Sequence, residues 1–252
     1  MHYTAEDWHR QFSRQAHWTG ALRDYLFAKI TIEESDKVLE IGSGTGAILR
    51  ALSARGQFQL FGLDINRRFL EFTLQSDTHA SLTQGDAHLL PYAASTFEVT
   101  VCHFLLLWVI DPLRVVSEMI RVTRAGGAVC VLAEPDYGGR IDFPVALELV
   151  GDLQEQALVR QGAQTRIGRR LKSIFVDAGL TEFEAGVLGA QWFVPGSEGE
   201  TGREWEMLEA DLTSLKPDLR IKDLQKIQET AAVRGEHILY VPTFYASARI
   251  PG

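Results

Sequence analysis

Residues 38–46 of the chain read VLEIGSGTG, an apolar segment that runs into three glycines at alternate positions. The pattern predicts a β-strand followed by a tight turn, because glycine adopts backbone angles that a Cβ forbids and lets a ligand approach bare peptide. A helical stretch follows Gly46, and the free N–H groups of a helix N-terminus favour an anionic group. The stretch therefore predicts a loop that binds a nucleotide-type cofactor, and a plain strand-to-helix turn is the alternative.

The composition is that of an ordinary soluble globular protein. Of the 252 residues, 46% are hydrophobic and 23% are charged, which predicts one domain with an elaboration. The formal net charge of −8 argues against a large basic surface, so nucleic acid is not an expected partner. Four basic residues lie close together in the sequence: Arg166, Arg169, Arg170 and Lys172. They predict a solvated helix face, with a local basic patch as the alternative.

The two cysteines predict neither a disulfide framework nor a metal site, because Cys102 and Cys130 both lie in apolar runs typical of buried strands. No stretch reaches the roughly 18 apolar residues needed to span a bilayer. Residues 1–14 are polar and aromatic and do not resemble a signal peptide. These features predict a cytoplasmic protein without membrane contact.

Short apolar runs alternate with helical stretches from Asp36 onward. The predicted strands are 37–41, 60–63, 99–104 and 128–133, and the predicted helices between them lie near 46–55, 67–77 and 112–123. Nearly continuous apolar runs indicate strands that are covered on both faces, hence a parallel sheet flanked by helices. In such a doubly wound α/β fold the ligand lies beyond the carboxyl ends of the strands.

Two acidic residues follow at positions that suit an adenosine. Asp64 ends the second strand, 22 residues after Gly42, where a carboxylate can accept both ribose hydroxyls. Its alternative role is to cap the next helix. Asp86 follows the third strand and could accept a hydrogen bond from the exocyclic amine of adenine, although it is also an unremarkable turn residue.

From Asp36 to about Glu134 the chain resembles the class I S-adenosylmethionine-dependent methyltransferases, in the branch that methylates small molecules. The resemblance rests on VLEIGSGTG, Gly62-Leu63-Asp64, Gly85-Asp86-Ala87 with Leu90-Pro91, and Phe97–Val109 followed by Arg121–Gly127. It implies a Rossmann-like, doubly wound sheet of seven mostly parallel strands with an antiparallel last strand and an N-terminal helical lid. The helical insertion expected at about 195–235 departs from the family's minimal pattern. The implied cofactor is S-adenosyl-L-methionine, with S-adenosyl-L-homocysteine as the product.

The resemblance also implies a role for each matching residue. Those that would bind the cofactor are Glu40, Gly42, Gly44 and Gly46 at the methionine end, Asp64 at the ribose, and Asp86, the Ala87 amide and Ile65 at the adenine. His103 falls where the family lines the pocket beside the sulfonium. The alternative for His103 is a structural role, in which its ring makes hydrogen bonds within the protein at the end of the strand.

A dehydrogenase is the competing enzyme class, because a glycine loop with a distal acid also describes NAD binding. The dinucleotide fingerprint spaces its glycines G-x-G-x-x-G, whereas Gly42, Gly44 and Gly46 give G-x-G-x-G. Glu40 and Asp86 also have no usual place in that fingerprint. The spacing therefore disfavours a dehydrogenase.

Two regions outside the common core should select the methyl acceptor. Residues 1–35 are expected to form a helical lid that places Tyr3, Gln15 or Trp18 against the cofactor, or a helix that only packs on the core. Residues 36–252 are expected to form the methyltransferase domain, with helical insertions at about 140–165 and 195–235. The second insertion could cap the substrate site, mediate a homodimer or pack on the sheet.

The sequence also predicts elements in the C-terminal half of the chain. Helices are expected at about 143–160 and 168–178, and strands at 182–194 and near 237–248, where the family closes its sheet with an antiparallel hairpin.

The loop after the fifth strand is the preferred acceptor wall, with Asp136 and Tyr137 as candidate catalytic residues beside His103. Because Glu134 and Asp136 alternate, only one can readily face the ligand. Methyl transfer requires mainly that an O or N nucleophile of a small molecule be held in line with the methyl group. A hydroxyl acceptor would also need a base, for which His103, Glu134, Asp136, His9 and His17 are candidates.

Two other functions are compatible with these motifs. One is a catalytically silent protein that binds S-adenosylmethionine and acts in regulation or assembly. The other is a methyltransferase that acts on protein or tRNA. The segment His103–Trp108 lacks the Asn-Pro-Pro-Tyr pattern, which argues against methylation of exocyclic amines of nucleic-acid bases.

Overall fold

A computed structural model describes residues 3–30, 32–75, 79–188 and 198–252. Its strands are β1 Lys37–Ile41, β2 Gln59–Asp64, β3 Ser81–Gln84, β4 Phe97–His103, β5 Thr123–Pro135, β6 Ile141–Phe143, β7 Phe183–Leu188, β8 Ile238–Tyr240 and β9 Thr243–Arg249. Its helices are α1 Ala5–Trp18, α2 Gly20–Lys29, α3 Ala47–Ser53, α4 Arg67–Thr73, α5 Pro112–Val122, α6 Glu148–Arg160, α7 Leu171–Asp177, α8 Glu198–Leu215 and α9 Ile221–Val233.

Seven strands form one sheet in the order β3-β2-β1-β4-β5-β9-β7. The first five strands pair in parallel, and β9 runs antiparallel to both β5 and β7. The predicted seven-stranded, doubly wound sheet with an antiparallel last strand is confirmed. This topology brings the carboxyl ends of β1, β2, β4 and β5 to one edge of the sheet, where the candidate residues lie.

Both faces of the sheet are buried, as the continuous apolar runs predict. Along β1, Leu39 and Ile41 join a core formed with α5 and α7, whereas Val38 joins a core formed with α2 and α3. A parallel sheet is stable in water only with such cover on both faces. No helix of the described residues is long and apolar enough to cross a membrane.

The sequence predicts a single strand near 237–248, and this prediction is wrong. The segment divides into β8, which pairs with β6 in a separate two-stranded sheet, and β9, which joins the main sheet. Pro242 lies between them and has no N–H to donate to a strand ladder, so pairing stops there. Its carbonyl accepts a hydrogen bond from the Asp136 amide instead.

Other boundaries shift at the ends of elements. The helix expected to begin at residue 143 begins at Glu148, because Ile141–Phe143 pairs with β8 as a strand. The helix expected over 67–77 ends at Thr73, and residues 76–78 lie outside the described residues. The strand expected over 182–194 ends at Leu188 in the described chain, and positions 189–194 lie outside it.

The second insertion has a core of its own. Trp205 and Leu212 of α8 pack with Ile221 and Leu224 of α9 and with apolar residues of α6, in a cluster separate from the two sheet cores. The Trp205 indole N–H donates to Gln228 Oε1 at 2.5 Å. The three helices therefore form a layer that is joined to the sheet through β6, β8 and the segments around them.

Candidate functional site

The glycine loop closes the carboxyl end of β1. The amides of Gly42 and Ser43 both donate to the Leu63 carbonyl of β2, at 2.7 and 3.0 Å. Gly44 has φ +51°, and a Cβ added there would lie 3.1 Å from the Phe12 ring. The loop therefore needs glycine at position 44 both for its backbone conformation and for the close approach of α1.

Asp64 stands beside this loop at the end of β2. Its Oδ2 accepts the Gly44 amide at 2.7 Å and its Oδ1 accepts the Asn66 amide at 2.8 Å. Burial raises the pKa of Asp64 above its usual value, and the two amides act in the opposite direction. The cap of α4 is Asn66, whose Oδ1 accepts the Arg68 amide, so the alternative role of Asp64 as a helix cap does not apply.

Glu40 is buried at the centre of the site, with 2% of its surface exposed. Burial, and secondarily the charge of Asp64, raise the pKa of Glu40 well above its usual range. The nearby Arg23 guanidinium partly offsets this effect. Glu40 is thus a carboxyl group that would gain from a cationic partner.

Within the described residues, the buried polar atoms without a hydrogen-bond partner include Glu40 Oε2, Ser43 Oγ and Arg23 Nε. Buried polar groups in folded proteins are nearly always paired, so each of these atoms calls for a ligand or water. An amino-acid zwitterion offers an ammonium group for Glu40 and a carboxylate for Arg23. The residues present therefore fit the methionine end of the cofactor that the motifs imply.

Arg23 is a candidate site residue that the sequence did not indicate. It lies on α2, and its Nη1 donates to the Ala16 carbonyl at 2.7 Å. Burial lowers the pKa of Arg23, and Glu40 opposes that effect. The only signal in the sequence is an arginine among the apolar residues of α2, a pattern that occurs widely without function.

The expected adenine residues lie at the adjoining strand ends. Ile65 directly follows β2 and is 69% exposed, and Ala87 is buried in the main core. The side chain of Asp86 is 56% exposed. Its Oδ1 accepts both the His88 amide and His88 Nδ1, and these bonds lower the pKa of Asp86.

Helix α1 lies directly over the glycine loop. His9 Nδ1 and Thr45 Oγ1 share a hydrogen bond of 2.9 Å, and the Phe12 ring packs against the rings of Trp8 and Phe69. The position supports the predicted lid. The sequence predicts His9 only as a candidate base and does not single out Phe12.

The three lid residues that the sequence singled out take different places. The Tyr3 ring stands edge-on to Trp8 at 6.0 Å. Trp18 packs on the cluster of Tyr137, Leu239 and Val241. Gln15 contributes its backbone carbonyl, which accepts the Thr19 amide and hydroxyl.

His103 ends β4 and is engaged with the N-terminal region. Its Nε2 shares a hydrogen bond of 2.7 Å with Thr19 Oγ1, and its ring lies 4.5 Å from that of Phe104. Burial, with a smaller effect of Arg23, lowers the pKa of His103 to about 3. The imidazole is therefore neutral and weakly basic.

Phe104 adopts φ +49°, a left-handed conformation that is strained for a residue with a Cβ. Glu134 stabilises the turn that follows, since its carboxyl oxygens accept the amides of Leu105, Leu106 and Leu107 at 2.9, 2.7 and 3.2 Å. Burial raises the pKa of Glu134 to about 8, although the three amides act against it. This acid shapes the backbone rather than facing a ligand.

Asp136 and Tyr137 follow β5 and are both buried. Arg169 binds both carboxylate oxygens of Asp136, through Nε at 2.5 Å and a terminal nitrogen at 2.7 Å. Asp136 would have to leave this ion pair to accept a proton from an acceptor. His17 is exposed, so its position gives no support for its role as a base.

The structure thus gathers most of the expected residues at one edge of the sheet. Within the described residues, no group of three or more His, Cys, Asp or Glu side chains is arranged to hold a metal.

Known proteins match this chain in sequence and in fold. A family model described as a methyltransferase domain matches residues 39–131. An uncharacterized methyltransferase of Schizosaccharomyces pombe is 27% identical over 58% of the chain, which spans 57% of that relative. The demethylmenaquinone methyltransferase of Oceanobacillus iheyensis is 28% identical over 69% of the chain and 79% of the relative. The solved structure of phosphoethanolamine N-methyltransferase 2 of Haemonchus contortus with S-adenosyl-L-methionine is similar in fold, with a TM-score of 0.59 and 14% identity over 92% of this chain and 52% of that one.

Proposed function

We propose, on the premise that this chain belongs to the class I S-adenosylmethionine-dependent methyltransferases, that it transfers a methyl group to an O or N nucleophile of a small molecule. The observation that carries the proposal is the set of unpartnered buried atoms of Glu40, Ser43 and Arg23 beside an intact glycine loop. The names of relatives that act on demethylmenaquinone and phosphoethanolamine support a small-molecule acceptor.

The cofactor-binding residues are assigned by the chemistry they present. Glu40 and Arg23 would bind the ammonium and carboxylate of the methionine end, and Asp64 the ribose hydroxyls. Gly42, Gly44 and Gly46 all have positive φ, and they form the turn that would bring the ligand against backbone amides. Asp86, the Ala87 amide and Ile65 would bind the adenine. When bound, S-adenosylmethionine supplies an activated methyl group on a sulfonium.

The acceptor is assigned to the wall formed by Trp18, Phe104 and Tyr137. These aromatic residues pack together in one cluster, and Trp18 and Phe104 are only partly buried. Their exposed faces suit a flat or apolar acceptor. His103 lies against Phe104 at the end of β4, the strand that pairs with β1.

The chain's own contribution to the transfer is chiefly positioning. With its pKa lowered to about 3, His103 is a poor general base near neutral pH, but its neutral ring can orient an acceptor by hydrogen bonding. Asp136 is held by Arg169 and would keep the wall in place through the loop that carries Tyr137. Orientation of this kind suits a reaction whose electrophile is already activated.

Calorimetric titration with S-adenosylhomocysteine tests the cofactor assignment, with NADH as the control. Micromolar binding of S-adenosylhomocysteine alone is expected. Gly44→Val should abolish it, whereas Gly126→Val should retain it, because Gly126 also has a positive φ but its added Cβ would meet nothing within 4 Å. Binding of NADH instead would overturn the proposal.

Turnover is tested next with a panel of phenols, amines and carboxylic acids, by mass spectrometry of methylated products. Formation of a methylated small molecule is expected. Tight cofactor binding without transfer to any member of a broad panel would favour the silent binding protein. Transfer only to protein or tRNA would identify the macromolecular alternative.

A further inference from the structure

The loop after β3 holds Asp86 through a neighbouring histidine. Asp86 Oδ1 accepts the His88 amide at 2.9 Å and His88 Nδ1 at 2.7 Å. Asp86 Oδ2 accepts no hydrogen bond from the part of the chain that the structure describes. One carboxylate oxygen is therefore occupied and the other is available to a ligand donor.

The other side of the imidazole is bound as well. The Asp111 amide, at the N-cap of α5, donates to His88 Nε2 at 3.3 Å. Arg114 Nε, one turn into the helix, donates to the His88 carbonyl at 3.0 Å. His88 thus links the loop after β3 to the first turn of α5.

These contacts determine which ring nitrogen carries the proton. A backbone N–H can donate to Nε2 only when Nε2 is unprotonated, so the neutral ring carries its hydrogen on Nδ1. That hydrogen points at Asp86 Oδ1. The α5 N-terminus therefore sets the tautomer of His88, and the tautomer sets the direction from which Asp86 is held.

We infer that His88 is a positioning residue that orients Asp86 to accept the 6-amino group of adenine, and that it thereby contributes to selectivity for adenine over a 6-oxopurine. A free aspartate on an exposed loop samples several rotamers, whereas a carboxylate with one oxygen bound twice presents the other in one direction. A 6-oxopurine offers a carbonyl at that place, which a carboxylate does not bind. The inference rests on the proposed function, because it assumes that Asp86 meets the adenine.

Two variants test the two ring nitrogens of His88 separately. His88→Asn keeps an N–H donor near the position of Nδ1 but lacks the Nε2 acceptor, and His88→Gln has the reverse pattern. The probes are S-adenosylhomocysteine and S-inosylhomocysteine, in which a carbonyl replaces the 6-amino group. Calorimetry gives both dissociation constants for each protein, and thermal unfolding confirms that each variant is folded.

His88→Gln is expected to weaken S-adenosylhomocysteine binding about fivefold, the size of one hydrogen bond, and to leave S-inosylhomocysteine binding unchanged. His88→Asn should retain wild-type selectivity between the two ligands. The hydrogen bond from the His88 backbone amide to Asp86 Oδ1 remains in both variants, so the expected loss of affinity is moderate.

An equal loss of affinity for both ligands in His88→Gln would overturn the inference, because a merely structural role does not distinguish the 6-position. Unchanged affinity for both ligands would overturn it as well. If wild-type protein bound neither ligand, the proposed function itself would fail, and that result is distinguishable from a failure confined to the variants.

Discussion

At the scale of single residues, the site is defined by polar groups buried without sufficient partners. Glu40 is the clearest case, because desolvation disfavours its charge and Asp64 adds repulsion. Such groups cost stability in the free protein and favour a ligand that neutralises them. Burial likewise disfavours the charge of Arg23 and lowers its pKa, so this side chain would favour an anionic ligand group.

Cofactor binding should release protons through Glu40. The pKa of Glu40 is raised in the free protein, and a cationic ammonium beside it would lower that pKa, so the bound state holds fewer protons. Affinity for S-adenosylhomocysteine should therefore increase as pH rises through the free-protein pKa. Calorimetry in two buffers with different ionisation enthalpies measures the number of protons released.

Glu40→Gln is the control for this prediction, because it removes the titrating group with little change in shape. It should bind more weakly and release fewer protons. Proton release equal to that of the wild type would show that another group, such as Asp64, is responsible.

At the scale of elements, α1 and α2 differ in how they are attached. Helix α1 rests on the glycine loop through Phe12 and the His9–Thr45 hydrogen bond. Helix α2 is attached to the edge strand β7 of the sheet, because Tyr25 and Lys29 both donate to Glu184. The first contact suits a lid over a ligand, and the second suits a fixed support for Arg23.

Phe12→Ala should increase the dissociation rate of S-adenosylhomocysteine about tenfold, because it removes the ring that closes the loop. Stopped-flow displacement measures the rate. Phe58→Ala is the matched control, since that ring packs near Gly56 on the core and away from the cofactor loop. A similar rate increase in both variants would mean that general loosening, and not lid contact, controls release.

The Glu184 cluster should stabilise the fold in a pH-dependent way. Hydrogen bonds from Lys29, Tyr25 and Tyr245 lower the pKa of Glu184 from 4.5 to about 2. A lowered pKa gives stability that is present above about pH 4.5 and is lost as pH falls through 2.

Glu184→Gln should therefore lower the thermal midpoint by about 2 °C at pH 7, a modest change because solvent screens this partly exposed group. The difference from wild type should shrink between pH 4.5 and the lowest pH at which both proteins remain folded. A difference that stays constant over that range would contradict an electrostatic origin.

At the scale of the whole molecule, the described residues form two apolar cores on the sheet, a third among α6, α8 and α9, and a smaller cluster around Tyr137. The third core shares few elements with the cofactor site. Its helices can therefore vary in stability without disturbing the loops at the end of β1 and β2.

Leu212→Ala should destabilise the third core by about 2–4 kcal/mol, because Leu212 is fully buried. Hydrogen exchange should show faster exchange in α6, α8 and α9, with β1 to β5 protected as before, and S-adenosylhomocysteine should still bind. Leu52→Ala, at an equally buried position below β1, should instead weaken protection in the sheet. Loss of cofactor binding in Leu212→Ala would show that the insertion contributes to the cofactor site.

The amino-acid sequence by itself determined the sheet, the glycine loop after β1 and the resemblance to methyltransferases. The strand of residues 37–41, the glycines after it and the acid at position 64 are local patterns whose geometry follows from glycine conformation and from burial on both faces of a strand. The methyltransferase domain matched over residues 39–131 and the methyltransferase relatives agree with the resemblance that these motifs carry, and the sheet order confirms the fold. The individual site roles of His103, Asp136 and Tyr137 stay predictions.

Only the tertiary structure decided which groups meet. Thr19 and His103 are 84 positions apart in the chain and share a hydrogen bond, and Arg169 binds Asp136 from 33 positions away. The division of the last strand at Pro242 likewise depends on β6 being available to pair with β8. Sequence patterns report the local preference of a segment, whereas the partner of a buried charge or an open strand edge is set by packing between distant segments, which no local pattern encodes.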